Sequence, residues 1–381
     1  MRETKITKRR VALVCCVLML LPLLVAGCGG GSPALGWSAP VVDDGVLYAG
    51  SKAGRVYALD LETRDPLWVF PSEGTLAGIY STPVIGDHAL FFGSYEIATS
   101  SFLIFQNQDI QGRAYSLDLA SGDELWHFPV GNAQETEPFL GTPALGEDLV
   151  YFTSSDGKVY ALDIETGVKQ WEFQTGNEIW GGPAWHDGTL YVGSADKNLY
   201  ALNAATGEVK WTFTAAGAIY DTPYVDGDLV YFGDLDNRAR AVTAGGGDEV
   251  WAFVAGNWVW ATPVEHEDLV YVASMDYSLY ALDGDSGNLV WQFKGEDMMR
   301  TAPVVADGTA YVTANTAGVY AVNAETGAQL WHSPKEGSLK VMAAPAVADG
   351  VIYVNADDGN LYAFDSATGE LLWEVAPGEW E

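Results

Sequence analysis

The chain has 381 residues, and its 51 Asp and Glu against 19 Lys and Arg give a formal net charge of −32. A field of that sign argues against a nucleic-acid partner and against direct adsorption to anionic lipid. With 48% hydrophobic and 18% charged residues, the chain has the composition of a globular protein rather than a disordered one.

The first ten residues carry Arg2, Lys5, Lys8, Arg9 and Arg10, and Val11–Ala26 is then almost wholly apolar. This is the pattern of an export signal, too short for a spanning helix. Arg9-Arg10 fits a general basic leader or a twin-arginine signal, and the choice stays open. The segment ends in Val25-Ala26-Gly27-Cys28, which resembles a bacterial lipobox. We therefore expect residues 1–27 to be a lipoprotein signal peptide and Cys28 to be the lipid-modified first residue, anchored without a spanning helix. Gly29 does not carry the aspartate that marks inner-membrane retention in some bacteria. Cys15 and Cys16 fall inside the removed segment, so no disulfide, zinc site or thiol nucleophile is expected in the mature chain. Residues 28–36 read as a short flexible tether.

From Trp37 onward one pattern recurs, most clearly in Ala161–Trp171, which reads A-x-D-x-x-T-G-x-x-x-W. Its tryptophans are Trp68, Trp126, Trp171, Trp211, Trp251, Trp291, Trp331 and Trp373, and from Trp171 to Trp291 they fall every 40 residues. Within each unit, short β-prone runs alternate with Gly, Asp and Asn turns, giving four antiparallel strands. One such sheet cannot bury both faces alone, whereas eight arranged radially can, with few exposed edges. The expectation is all-β: one eight-bladed β-propeller of four-stranded antiparallel blades over residues 37–381. Asp163 and its counterparts suit bonding to turn amides, Gly167 suits a positive-φ position, and the eight tryptophans fill the space between blades. A buried tryptophan of about 150–250 Å² contributes at most roughly 4–6 kcal/mol.

Three units depart from the pattern. Unit one has Arg64 where a turn glycine is usual. Unit two is long: Trp68 to Trp126 is 58 residues, with most of the excess in Tyr95–Gln111 and a second enlargement at Pro129–Phe139. The first joins strands two and three of a blade and the second joins strand four to the next blade. In an antiparallel blade both connections emerge on the same face of the disc. Ser101-Phe102-Leu103-Ile104-Phe105 is too apolar for a free linker, so Phe102 and Phe105 are candidates for partner contact. In unit five Arg240 replaces the usual tyrosine with Arg238 nearby, a pair suited either to gripping a carboxylate or to local ion pairing.

The eight motif copies resemble the tryptophan-docking repeat of the PQQ-type β-propellers, over about Trp37 to Val375. That superfamily includes quinoprotein alcohol dehydrogenases and the BamB-type lipoproteins of the outer-membrane barrel-assembly machine. The resemblance implies the fold, but one fold hosts both enzymes and scaffolds. It also implies what a quinoprotein would need: a planar quinone beside a tryptophan, a vicinal cysteine disulfide, and a calcium ion with a nearby aspartate base. The only adjacent cysteines are Cys15-Cys16, and no haem-attachment motif is present. His88, His127, His186, His266 and His332 lack metal-ligand spacing, and no G-x-S-x-G or P-loop occurs. Asp-Gly pairs such as Asp156-Gly157 read as tight turns, without the spacing of a calcium loop.

Three residues before each inner-strand proline lies a position expected to ring the channel mouth: Trp37, Tyr80, Leu140, Trp180, Tyr220, Trp260, Arg300 and Met342. The next ring is Ser38, Ser81, Gly141, Gly181, Asp221, Ala261, Thr301 and Ala343. Trp37, Tyr80, Trp180, Tyr220, Asp221, Trp260 and Arg300 are the candidates for binding a planar ligand or a peptide segment, with inter-blade packing the competing role. We expect no cofactor, no metal and no catalytic residue. The preferred reading is a monomeric, lipid-anchored, extracytoplasmic scaffold for an envelope or outer-membrane protein, BamB-like in outer-membrane protein assembly. The alternatives are a propeller that binds a glycan or small molecule, or a PQQ-dependent quinoprotein dehydrogenase.

Overall fold

A computed structural model describes residues 38–102, 105–130, 136–334 and 337–377, and for the segment 97–110 it describes the backbone alone. The repeat units fold as eight four-stranded antiparallel sheets, each taken from one continuous stretch of chain. Hydrophobic clusters lie between neighbouring blades; one joins Tyr151, Leu190 and Leu202 across blades three and four. Another joins Leu47, Tyr57 and Leu59 of blade one to Tyr353, Leu361 and Ala363 of blade eight, so the ring closes. Blade one is Val41–Asp43, Val46–Gly50, Val56–Asp60 and Pro66–Phe70, and blade eight is Ala346–Ala348, Val351–Asn355, Leu361–Asp365 and Leu371–Val375. Neither blade borrows a strand from the other end of the described chain. Side chains fasten the seam instead: the Asn355 amide donates to the carbonyls of Ser38 and Gly50, at 2.9 and 3.1 Å, and Lys52 of blade one pairs with Asp357 of blade eight at 3.7 Å.

The inner strands are short, two or three residues each. The ladder of blade four begins at Ala184. Pro183 has no N–H to give, and the Gly182 N–H already donates to Thr222 Oγ1 of the next blade at 2.8 Å. The chain at the axis is thus committed to neighbouring blades before it joins its own sheet.

Each tryptophan spans a blade boundary. The indole of Trp171 donates to the Ala204 carbonyl of blade four at 3.0 Å, and Tyr151 Oη donates to the same carbonyl at 2.9 Å. Trp68, Trp126, Trp211, Trp251, Trp291 and Trp331 repeat the bond at 2.8–3.1 Å. Except at Trp373, the ring of each tryptophan lies on the turn glycine of the following blade. A Cβ on Gly167 would stand 2.6 Å from Trp126 Cδ2, and Gly167 also has φ of 69°. The glycine therefore does two jobs, forming a left-handed turn and giving the indole a floor. The turn aspartate completes the unit, with Asp163 Oδ1 accepting from the Thr166 N–H at 2.9 Å.

Every outer strand also carries a register shift just before its tryptophan. In blade one Trp68 pairs with Ala58 and Pro66 with Leu59, leaving Leu67 bulged and 54% exposed. Bulges of this kind twist an edge strand away from regular pairing and protect a rim of eight open edges from aggregation.

Candidate functional site

The first strands line the axis, and the residues leading into them build the mouth. Their pattern alternates. Ile79, Phe139, Ile179, Ile219, Val259, Met299 and Val341 are fully buried between blades. The next residue in each, from Tyr80 through Met342, is half-exposed at the mouth. The one after is buried again, as with Ser81, Ala261 and Thr301. The second ring is therefore inter-blade packing, and its exception is Asp221. Trp37 lies outside the described residues.

Three mouth residues meet. Trp180 and Tyr220 have ring centroids 5.1 Å apart, Tyr220 stacks on Trp260 at 5.2 Å, and Trp180 reaches Trp260 at 6.0 Å although a blade lies between them. The Trp180 indole donates to Glu178 Oε2 at 2.9 Å, which fixes its plane. The triad covers the blade four to six side of the mouth with a continuous aromatic surface.

On blade seven Arg300 donates from Nη2 to Asn315 Oδ1 at 3.0 Å and contacts the Met342 sulfur. Its Nε–H is buried with no partner among the described residues. Desolvation pulls the guanidinium pKa below its ordinary value, and the Asp297 carboxylate opposes that shift. Asp221 is enclosed by protein while keeping some accessible surface toward the axis. Burial raises its pKa to about 6, against the N–H bonds from Thr222 and Thr262, at 2.7 and 2.9 Å, that favour the charged form. These groups offer a flat apolar platform, a cation and a titratable acid. Among the described residues no cluster of three His, Cys, Asp or Glu is placed to hold a metal ion.

Blade two places its insertions beside this mouth. The long segment forms a two-stranded ribbon, Glu96–Phe102 paired with Phe105–Gln111, in the position where other blades have a tight turn. Phe102 and Phe105 pair at its end; their side chains lie outside the described residues. The ribbon is rooted on the mouth, since Tyr95 packs edge-on against Tyr80 at 6.1 Å. Glu96 anchors it further, accepting from Tyr115 Oη at 2.7 Å and pairing with Arg113 at 3.5 Å. In blades three and four the same bond runs from Tyr160 to Asp156 and from Tyr200 to Asp196. Sequence reasoning missed Glu96, yet Ser94-x-Glu96 repeats the spacing of Ser154-x-Asp156 and Ser194-x-Asp196 and could have identified it. The two insertions are joined: the Gly112 N–H donates to the Thr136 carbonyl at 2.8 Å, and Thr136 Oγ1 donates to the Gly112 carbonyl at 2.7 Å. Neither residue stood out in the sequence.

Arg240 belongs to no open site. Its Nε donates to Asp234 Oδ2 at 2.9 Å, the pair is buried, and Glu249 and the Phe213 ring complete its surroundings. Of the two roles the sequence left open, the structure places this arginine in local ion pairing. Asp234 stands where neighbouring blades have Ser194 and Ser274, and Arg240 where they have Tyr200 and Tyr280, so blade five has exchanged both partners together.

Comparison with known proteins gives a consistent picture. A family model described as outer membrane protein assembly factor BamB matches residues 96–181, 175–257 and 236–377. Among solved structures, BamB from Moraxella catarrhalis is similar with a TM-score of 0.67 at 19% identity, over 86% of this chain and 93% of that one. A computationally designed protein, Ika8, gives 0.63 at 17% identity, over 78% of this chain and 86% of its own. The quinohemoprotein alcohol dehydrogenase from Comamonas testosteroni gives 0.66 at 14% identity, over 90% of this chain and 74% of its own. At these identities the likeness is one of fold. No curated protein matches the chain.

Proposed function

The chain belongs to the family of the outer membrane protein assembly factor BamB, and from that premise we propose that it is a non-catalytic, protein-binding propeller of the cell envelope. In this reading residues 1–27 are removed, Cys28 carries lipid, residues 28–36 are the tether, and the monomeric propeller docks an envelope or outer-membrane protein during outer-membrane protein assembly. The observation that carries the reading is the joint of the two insertions at Gly112 and Thr136. It ties the base of the ribbon to one side of one face, and among the described residues no third strand pairs with either edge of the ribbon. An open edge free of lysine and proline is suited to adding a strand from a partner.

The test is a cross-linked pull-down of the full-length lipoprotein from its native membranes, beside a chain lacking Ile97–Asp109. A barrel-assembly protein recovered with the wild type and lost with the deletion supports the docking role. Recovery of no protein partner sinks it.

A second reading rests on the triad of Trp180, Tyr220 and Trp260 beside Arg300, which suits a flat, anionic ligand at the mouth. It predicts saturable quenching of tryptophan fluorescence, lost in Trp180→Ala and Trp260→Ala. Quenching by a quinone that requires calcium, with dye-linked alcohol oxidation, would instead favour a quinoprotein.

A further inference from the structure

We propose that the mouth face is the surface this protein turns toward the membrane that anchors it, and that the opposite face points away into the aqueous compartment. The inference rests on the lipidation of Cys28 proposed above, and it is carried by where the chain enters the ring and by how charge divides between the two faces.

Ser38, the first described residue, is buried at the mouth end of the axis. Its carbonyl accepts from Asn355 and its hydroxyl accepts from the Gly50 N–H at 3.1 Å. From there the chain runs along Val41–Asp43 toward the far face. The tether is therefore rooted near the centre of the mouth face. Ten residue steps separate Cys28 from Ser38, a reach of at most about 35 Å. To lay the far face on a bilayer, the tether would cross the three strand spacings to the rim, about 14 Å, and then descend a blade of five or six residues, about 16–20 Å more. That path takes up nearly the whole reach of a fully extended tether, whereas the mouth face meets the bilayer with no detour.

Charge selects the same orientation. The far face is built from the turns joining strands one and two and strands three and four. Among the described residues its turns contain one lysine or arginine, Arg64, while every blade places a carboxylate there, as at Asp187, Asp268 and Asp307. The turns and linkers of the mouth face carry carboxylates too, as at Asp156, Asp196 and Asp276, but partly offset them with Lys52, Arg55, Arg113, Lys197, Arg300 and Lys340. An anionic lipid surface repels the far face more strongly within a Debye length of about 8–10 Å. The ribbon rises from the mouth face as well, and from Ile97 to Gln108 its sequence has no charged residue. It can therefore approach the headgroup region without stripping water from a charge.

Two probes at opposite ends of one outer strand, Val209–Thr214, test the orientation. Ala205→Cys lies in a far-face turn and Ala216→Cys on the mouth side, and both positions are exposed. The full lipoprotein, purified from native membranes and labelled with a donor dye, is bound to phosphatidylethanolamine–phosphatidylglycerol vesicles bearing an acceptor on the headgroups. Energy transfer is expected to be several-fold stronger from the Ala216→Cys probe. Equal transfer, or stronger transfer from Ala205→Cys in vesicle-bound protein, overturns the orientation and leaves the anchor intact. An unmodified Cys28 by mass spectrometry, with no flotation on vesicles, overturns the anchor and the orientation with it.

Discussion

The guanidinium of Arg64 stacks over the ring of Trp373, 5.7 Å from its centroid, across the seam between the last blade and the first. At the other seven boundaries a turn glycine takes this place, as Gly122 does beneath Trp68 and Gly369 beneath Trp331. Arg64 keeps the left-handed geometry of those glycines, with φ of 67°, and adds a cation over the indole.

Two opposing effects follow at this position. A left-handed backbone costs a side-chain-bearing residue about 1–2 kcal/mol, and an exposed cation–π contact contributes about 0.5–1 kcal/mol. Arg64→Ala keeps the strain and loses the contact, so it should lower stability by about 0.5–1 kcal/mol. Arg64→Gly releases the strain and should be neutral or mildly stabilising. Chemical denaturation of both variants separates the effects, and equal losses in the two would disprove the account.

Glycines in this fold differ in what they support. Gly188 has φ of 68° and open space around its missing Cβ, whereas Gly167 has the same geometry with Trp126 against it. Gly188→Ala should cost about 1–2 kcal/mol, from backbone strain alone. Gly167→Ala adds the displacement of an indole, another 1–3 kcal/mol or so. Thermal unfolding of the two variants compares the cost of a turn with the cost of a dock. Trp251→Ala, which removes an indole outright, should lose about 3–5 kcal/mol.

The buried pair in blade five can be taken apart and replaced. Asp234→Ala leaves the Arg240 guanidinium short of its closest buried partner and should destabilise by about 3 kcal/mol. Replacing both residues by the pair used in the adjacent blades, Asp234→Ser with Arg240→Tyr, should restore most of the loss. A double variant no more stable than Asp234→Ala would show that the exchange was not compensatory.

Asp221 gives the mouth a pH response. Burial raises its folded pKa to about 6, above the ordinary aspartate value of 3.8. The folded state therefore holds the proton more tightly than the unfolded chain. The stability this contributes is fully present below pH 4 and is lost as pH rises through 6. Relative to Asp221→Asn, the wild type should lose ground between pH 4 and pH 7. Fluorescence of the neighbouring mouth tryptophans should show a step centred near pH 6 that the variant lacks. A flat titration would remove Asp221 from the list of responsive groups.

Much of this architecture is legible in the sequence because the information is local and repeated. The period of the tryptophans orders the blades, and antiparallel alternation places the ribbon and the Pro129–Phe139 enlargement on one face. What escaped depends on distances around the ring. That Trp180 touches Trp260 over an intervening blade follows from how tightly the axis closes, which no stretch of sequence encodes by itself. Asp221 stands out in the second ring as a binding candidate, but only the packing of blades four to six reveals its desolvation. The joint of Gly112 and Thr136 links backbone groups, which have no signature in residue type. The floor that Gly167 provides was half-read, as a turn without the indole above it.

The seam has a consequence for how the molecule could be rewired. Ser38 bonds to Gly50, and Pro377 lines a small cavity with the same Gly50, so the two described ends of the propeller meet at one residue. Each blade is made from contiguous chain and none is shared between the ends. Where the polypeptide starts is then incidental to the ring. Joining the ends with a short linker and opening the chain at another blade boundary, such as Gly256-Asn257, should yield a circular permutant with the same blades in the same neighbourhoods.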